Sequence, residues 1–442
     1  MSQDENLRRL LEDAAKRGID YREQSATRAV APTDAAIEKV ERFIEPLPED
    51  GTADSDVLAQ LDEVGTPAAV AMTGPRFFGF VIGGSLPVTL ASNWLASAWD
   101  QNDVMYEVTP ATATLERVAM DWMIDLFGLP EETGAAFVTG ATIANFSSLA
   151  AARNRVYADV GWNVEADGLI GAPPLTIFVG EEVHPTVIKG IGLLGFGRNQ
   201  VQRLPVDRQG CIDATQLPKI SGPTIVCTQA GNLNTGGFDP VGEICDAVKA
   251  KGAWVHVDGA FGLWAAASPE LAHLCNGLQA ADSWATDAHK WLNVPYDCGI
   301  AFVRHAQALK SAMSITADYL ITETENRNPS DYTPELSRRA RGVDVWAALK
   351  SLGRSGLAEM LNRCCSNARR FADALEEAGF EILNDVNLNQ VLVSFGDDAR
   401  TRNIIDAIQA DGTCWCGATV WQGHTAMRIS VSNWSTTAAD VD

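Results

Sequence analysis

The chain has 442 residues, 46% of them hydrophobic, which allows two or three domains and a large buried core. Its 34 lysines and arginines face 57 aspartates and glutamates, a formal net charge of −23. That balance argues against a nucleic-acid partner, because phosphate binding needs a basic face.

The N-terminus, Met1-Ser2-Gln3-Asp4-Glu5, is polar and no apolar leader follows it. Apolar runs are short and broken by glycine or proline, so no membrane span is expected. Nine cysteines are scattered without a C-x-x-C, and Cys364-Cys365 and Cys414-x-Cys416 lack metal-site partners. The histidines show no paired ligand spacing. Reduced thiols in a cytoplasmic protein without a metal centre are the expectation.

Residues 1–75 read as a helical arm. Leu7, Leu10, Leu11, Ala14 and Ala15 recur at helical spacing between charged residues. A second helix spans 33–44, with Ile37, Val40, Phe43 and Ile44 apolar, until Pro46, Pro48 and Gly51 break it. These stripes need a surface to bury, on the main domain or on a partner subunit. Residues 76–344 read as a large domain in which short apolar runs alternate with amphipathic helices. Strands are predicted at 135–138, 174–179, 223–228, 253–258, 282–286 and 299–303, with helices at 142–158, 184–194 and 241–250. This alternation predicts a mostly parallel sheet covered by helices, with ligands at the strand carboxyl ends. Residues 345–442 read as a small α/β domain, with helices at 355–378 and 401–410 and strands at 390–395 and 426–431. Thr436 to Asp442 looks like a helix opening without its body, so the chain is expected to continue.

Chemistry concentrates at the predicted strand ends. Residues 285–291 read Ala-Thr-Asp-Ala-His-Lys-Trp, and an upstream strand reads Trp254-Val255-His256-Val257-Asp258. A lysine after a strand is ordinarily a surface residue. Lys290, however, sits among Trp291, Leu292, Val294 and Pro295, and a desolvated amine is a better nucleophile for an aldehyde. Asp258 closes an apolar strand, and a buried carboxylate needs a partner. An arginine or backbone amides would serve; so would a protonated pyridine nitrogen. Gly259-Ala260 adds no bulk beside it. Thr139-Gly140-Ala141-Thr142 joins a strand to a helix, where free amides bind phosphate; plain capping by Thr142 is the alternative. His184 opens a helix and reads either as a structural residue or as a ring that stacks on a flat ligand. Phe77, Phe78, Phe80, Val81 and Trp99 are apolar pocket candidates or ordinary core.

Together these segments resemble the pyridoxal-phosphate-dependent group II amino-acid decarboxylases, the family of aromatic amino-acid and glutamate decarboxylases. The resemblance runs through Pro75–Phe80, Thr109-Pro110, Thr139–Asn145, Glu182-Val183-His184, Gly231-Asn232, Phe238-Asp239-Pro240, His256–Asp258, Asp287–Trp291, Ser337–Arg339 and Arg428–Trp434. It implies a type I, aspartate-aminotransferase-like fold with a small C-terminal domain and a helical arm. It also implies pyridoxal 5'-phosphate (PLP) as cofactor, and a homodimer with the active site at or near the subunit interface. An L-amino acid would lose carbon dioxide to give the amine. By resemblance Lys290 is the imine-forming lysine, Asp258 holds the pyridine nitrogen, His184 stacks on the ring and Ala260 packs on its other face. Ala141, Thr142 and Asn232 bind the cofactor, and His289 binds phosphate or moves a proton. Arg428, with Phe78, Phe80 and Trp99, meets the substrate. The family's mobile loop carries a proton-donating tyrosine; Tyr332 stands closest to that role but lies nearer to Arg338-Arg339 than in the aromatic decarboxylases. Asp287 stands where many members have a neutral residue, and a charge there is unfavourable near phosphate unless it faces away. An aldehyde synthase, a carbon–carbon lyase, an aminotransferase or a silent binding protein on the same scaffold are the alternatives.

Overall fold

The structure, a computed structural model, describes residues 3–315 and 326–442. The N-terminal segment holds α1 (Gln3–Gln24) and three short helices, α2 (Asp34–Lys39), α3 (Asp54–Gln60) and α4 (Thr66–Ala68). Helix α1 outruns the stripe that predicts it. Asp4 and Glu5 in its first turn and Arg22 in its last complement the helix dipole. Thr33 caps α2 by accepting from the Ala36 amide, and the helix tightens into a 3-10 turn at Val40–Phe43. Leu7, Leu11, Ile44 and Leu47 stay exposed, Leu47 at 94%.

Two helices that begin at proline, α5 (Pro87–Trp99) and α6 (Pro110–Leu126), lead into the main sheet. In chain order there follow β1 (Gly134–Val138), α7 (Ala141–Ala158), α8 (Val164–Asp167), β2 (Thr176–Gly180), α9 (Pro185–Leu193) and β3 (Gln202–Leu204). Next come β4 (Thr224–Gln229), α10 (Val241–Val248), β5 (Trp254–Asp258), β6 (Ser283–Asp287), β7 (Gly299–Val303) and α11 (Ala306–Met313). The seven strands stand in the order β1-β7-β6-β5-β4-β2-β3. Strand β7 runs against both neighbours, and the other pairings are parallel. Side chains alternate between two cores: Ala135 and Phe137 of β1 face the α6 side, Ala136 and Val138 the α7 side. Both faces are covered, which is why these strands read as unbroken apolar runs.

Helix α12 (Gly342–Glu377) is kinked at Gly353, whose φ of 61° suits glycine. Before the kink Trp346 stacks on Trp122 of α6; beyond it Arg369 and Asn367 bond the carbonyls of Val386 and Thr436. The helix predicted at 355–378 is the part beyond the kink. The second sheet is antiparallel, in the order β10-β11-β9-β8. It is made of β8 (Glu381–Ile382), β9 (Gln390–Ser394), β10 (Gly417–Trp421) and β11 (His424–Ser430), with α13 (Asp398–Asp411) packed on it. Gln422-Gly423 closes the β10–β11 hairpin with φ of 47° and 88°, the two left-handed residues of a type I′ turn. Thr437 and Asp440 form a capping box on α14 (Ala438–Val441). Among the described residues no helix is long and apolar enough to cross a membrane.

Candidate active site

Four parallel strands end at one edge of the main sheet. Gly140 follows β1, His184 follows β2, Asp258 closes β5, and Asp287 closes β6 just ahead of Lys290. Their carboxyl ends converge where open α/β sheets hold ligands.

Asp258 is 4% exposed. Its Oδ1 accepts from the Ala260 N–H at 3.2 Å and its Oδ2 from Asn145 Nδ2 at 3.3 Å. Burial pushes the carboxyl above the usual range, while His184, Lys290 and the Asn145 amide pull it back. Behind Asp258 runs a polar relay with one direction. The Trp254 indole can only donate, and it lies 2.8 Å from Ser283 Oγ. Because Asn145 gives its NH₂ to the Asp258 carboxylate, its Oδ1 accepts from His256 Nε2–H at 2.9 Å, and the bare His256 Nδ1 accepts from the Ser283 hydroxyl at 2.9 Å. Burial lowers the His256 pKa to about 3, which keeps the ring neutral, with one nitrogen to donate and one to accept.

Lys290 Nζ lies 3.0 Å from Asp287 Oδ2. Asp287 Oδ1 accepts from the Ala141 N–H at 2.6 Å, across 146 residues of sequence. The cap of α7 is therefore Asp287; Thr142, a cap candidate from sequence, lies inside the helix, and Gly140 is the N-cap residue. Asp287 faces into the site. Cys298 N–H donates to His289 Nδ1 at 3.0 Å, leaving the proton on Nε2, 3.5 Å from Asp287 Oδ1. The His289 ring stacks on Tyr296 at 4.4 Å between centroids, and burial lowers its basicity. His184 caps α9: its Nδ1 accepts from the Thr186 N–H at 3.3 Å, and burial again favours the neutral ring.

A cavity between these groups is lined by His184, Gln229, Gly231, Leu233, Asp258, Ala260, Phe261 and Lys290. At the N-terminus of α7 two glycines pack backbone against backbone. A Cβ on Gly299 would lie 2.4 Å from the Gly140 Cα, and one on Gly140 would lie 3.2 Å from His289.

Other sequence candidates sit elsewhere. Asn232 Oδ1 accepts from the amides of Asn234 and Thr235, so its carboxamide shapes its own loop. Phe78 is core, edge-on to Phe371 at 4.9 Å. Phe80 is 57% exposed and stacks on Trp415, which also stacks on Phe77. Trp99 ends α5 at the surface, 46% exposed. Arg428 is buried with its Nη1 3.4 Å from Asn234 Oδ1, and burial lowers its pKa to about 10. Among the described residues no carboxylate pairs with it. Tyr332 packs near α11 under the Arg327 guanidinium, at 4.3 Å, and its turn is tied down by the Lys310–Asp331 ion pair at 2.8 Å. It does not line the cavity that holds Lys290. Of the chain leading to Tyr332, residues 316–325 lie outside the described residues. Arg338 is structural here, buried against Asp103 and Glu116.

Asn145, His256 and Asp287 complete the site, and no role could be assigned to them from sequence alone. One signal existed: Asn145 stands one helical turn beyond Ala141, on the same face of α7.

The residues fit PLP. The α7 N-terminus, bordered by Gly140 and Gly299, suits a phosphate once Asp287 releases the Ala141 amide; Asp258 suits a pyridinium nitrogen, and Lys290 suits an aldehyde. The family model described as the pyridoxal-dependent decarboxylase conserved domain matches residues 41–396. Tryptophan decarboxylase 1 of Oryza sativa subsp. japonica is 26% identical over 407 residues, 83% of this chain and 78% of that protein. The acidic amino acid decarboxylase GADL1 of Mus musculus is 29% identical over 337 residues, 73% of this chain and 60% of that one. The crystal structure of Oryza sativa TDC with PLP and tryptamine superposes with a TM-score of 0.91 at 23% identity, covering 100% of this chain and 96% of that chain. That likeness shows the fold, and the match over most of the length shows the lineage: the chain belongs to the pyridoxal-dependent decarboxylase family and is a PLP-dependent amino-acid decarboxylase.

Proposed function

We propose that this decarboxylase converts an L-amino acid with an aromatic or other apolar side chain to its amine, as a cytoplasmic homodimer with the active site at or near the subunit interface. The observation that carries the substrate class is the stack Phe77–Trp415–Phe80, whose outer ring is half exposed. Three residues beyond Phe80, Gly83 packs so closely on the Lys290 carbonyl that a Cβ there would clash at 1.8 Å. The segment that carries Phe77 and Phe80 thus runs on to pack its Gly83 against the Lys290 backbone. Leu233 and Phe261 add apolar lining.

When bound, PLP supplies an aldehyde that condenses with amines and a protonated ring that draws electrons from the bond being broken. Ala141 and Thr142 at the N-terminus of α7 would hold its phosphate, and Lys290 its aldehyde end. Asp258, held as an acceptor by Asn145, keeps a proton on the ring nitrogen. The neutral His184 ring can lie on a protonated ring without charge repulsion. Arg428, a buried cation that pairs with no carboxylate among the described residues, attracts the anionic substrate. His289 holds a proton at Nε2 beside Lys290, a position from which it can be passed on. The dimer is supported by the exposed apolar side chains Leu7, Leu11, Ile44 and Leu47 on the arm and Trp94, Leu95 and Trp99 on α5.

The test is a screen of the standard amino acids for carbon dioxide release, with the organic product identified. Turnover of aromatic or aliphatic substrates to amines is expected; turnover of acidic amino acids alone would contradict the substrate class. One observation favours aldehyde formation as a second reading: Tyr332, the proton-donor candidate, is held against α11. Aldehyde and ammonia in the same screen would identify it.

A further inference from the structure

Asp287 holds both of the groups that PLP needs. Its Oδ1 takes the Ala141 N–H, at 2.6 Å, and its Oδ2 takes the Lys290 ammonium, at 3.0 Å. The carboxylate is 2% exposed, so water screens it little. The glycine floor of Gly140 and Gly299 lies against it: a Cβ on Gly299 would come within 2.9 Å of Asp287 Oδ1. We infer that Asp287 is a carboxylate latch that occupies the phosphate cradle and must yield the α7 amide when the cofactor's phosphate enters. This rests on placing that phosphate at the N-terminus of α7.

A receiving group is already in position. His289 presents its Nε2–H 3.5 Å from Asp287 Oδ1, because Cys298 N–H occupies Nδ1. Losing the Ala141 amide, the carboxylate still has the His289 Nε2–H beside its Oδ1, and it gives up Lys290 as that amine turns to the cofactor's aldehyde. The two anions still stand close together, so the latch weakens phosphate binding. Asp287 is thus a positioning residue that sets how strongly the protein prefers a phosphorylated pyridoxal over an unphosphorylated one.

The experiment measures dissociation constants for PLP and for pyridoxal by absorbance titration of the cofactor-free protein. Effects of a substitution on Lys290 reactivity act on both ligands and cancel in their ratio. Asp287→Asn keeps the size and a hydrogen-bond acceptor but removes the charge. The preference for PLP over pyridoxal should rise roughly tenfold, the scale of removing one poorly screened like charge. Ala141→Pro removes the amide at a helix position that tolerates proline, and should lower the same preference. If Asp287→Asn leaves the ratio unchanged while Ala141→Pro lowers it, the phosphate sits at α7 and the latch is refuted. If neither variant moves the ratio, the placement of the phosphate fails, and the latch with it.

Discussion

The Asn145 side-chain amide donates to Asp258 Oδ2 at 3.3 Å, and its oxygen meets His256 Nε2, two residues before Asp258 on the same strand. In the order Trp254, Ser283, His256, Asn145 each contact runs in one direction, from the indole N–H to Ser283, from Ser283 to His256 Nδ1 and from His256 Nε2–H to Asn145 Oδ1. Asp258 therefore meets an NH₂ and not a carbonyl oxygen. The relay makes the site's key carboxylate an acceptor before any ligand arrives.

Replacing Asn145 by leucine should remove that control. His256 Nε2–H would be left buried without a partner, at a cost of about 1–3 kcal/mol in urea unfolding. PLP affinity should fall as well, because Asp258 loses a donor that favours its charged form. A leucine variant equal to the parent in both measurements would show that the relay is idle.

His256 also predicts an acid sensitivity with a definite sign. Its folded pKa is about 3 against an ordinary 6.5, so between these values the unfolded chain binds the extra proton. Stability from this group is complete above pH 6.5 and falls as the pH drops toward 3. The slope is about 1.4 kcal/mol per pH unit once well below the ordinary value. Denaturation curves at pH 7.5 and 5.5 should show His256→Gln as less stable than the parent at the higher pH but with a flatter pH dependence. Parallel dependences would exclude His256 as the cause.

Arg428 bears on substrate capture. Its buried guanidinium has Asn234 as a hydrogen-bond partner, and among the described residues no carboxylate offsets its charge. Arg428→Gln should raise KM on the order of 10- to 100-fold, the range of a lost charge-assisted bond, with a smaller change in kcat. An unchanged KM would place the substrate elsewhere.

Tyr332→Phe separates two outcomes. The ring is held under Arg327, and its turn is tied to Lys310 through Asp331. Amine formation should stay within about twofold of the parent, since hydroxyl deletions away from the chemistry cost little. A switch from amine to aldehyde in the product analysis would instead make Tyr332 the proton donor.

Much of the main sheet was legible in the sequence because it is covered on both faces. Six of its strands stand out as apolar runs, and their ends carry His184, Asp258 and Lys290. Strand β3 was not legible: it pairs on one side only, and Gln202 and Arg203 face solvent. Strand β10 alternates on an edge of the small sheet, and its signal lay in the Gln422-Gly423 turn. The cap of α7 was not legible: Thr142 is a fitting residue type for a cap, whereas the group that binds the Ala141 amide arrives from β6, far along the chain. The aromatic residues were ambiguous for a related reason. Phe78 and Phe80 are two positions apart, yet one is buried on Phe371 and the other lies open on Trp415. Pattern alone does not separate a core ring from a lining ring; the neighbours do.

The central claim is that Lys290 bonds the cofactor, and borohydride reduction of the PLP-loaded protein followed by peptide mass spectrometry tests it most directly. The account predicts a pyridoxyl group on the peptide that contains Lys290, and loss of both the visible cofactor band and turnover in Lys290→Ala. A pyridoxyl group on a different lysine, or an unchanged band in Lys290→Ala, would contradict it.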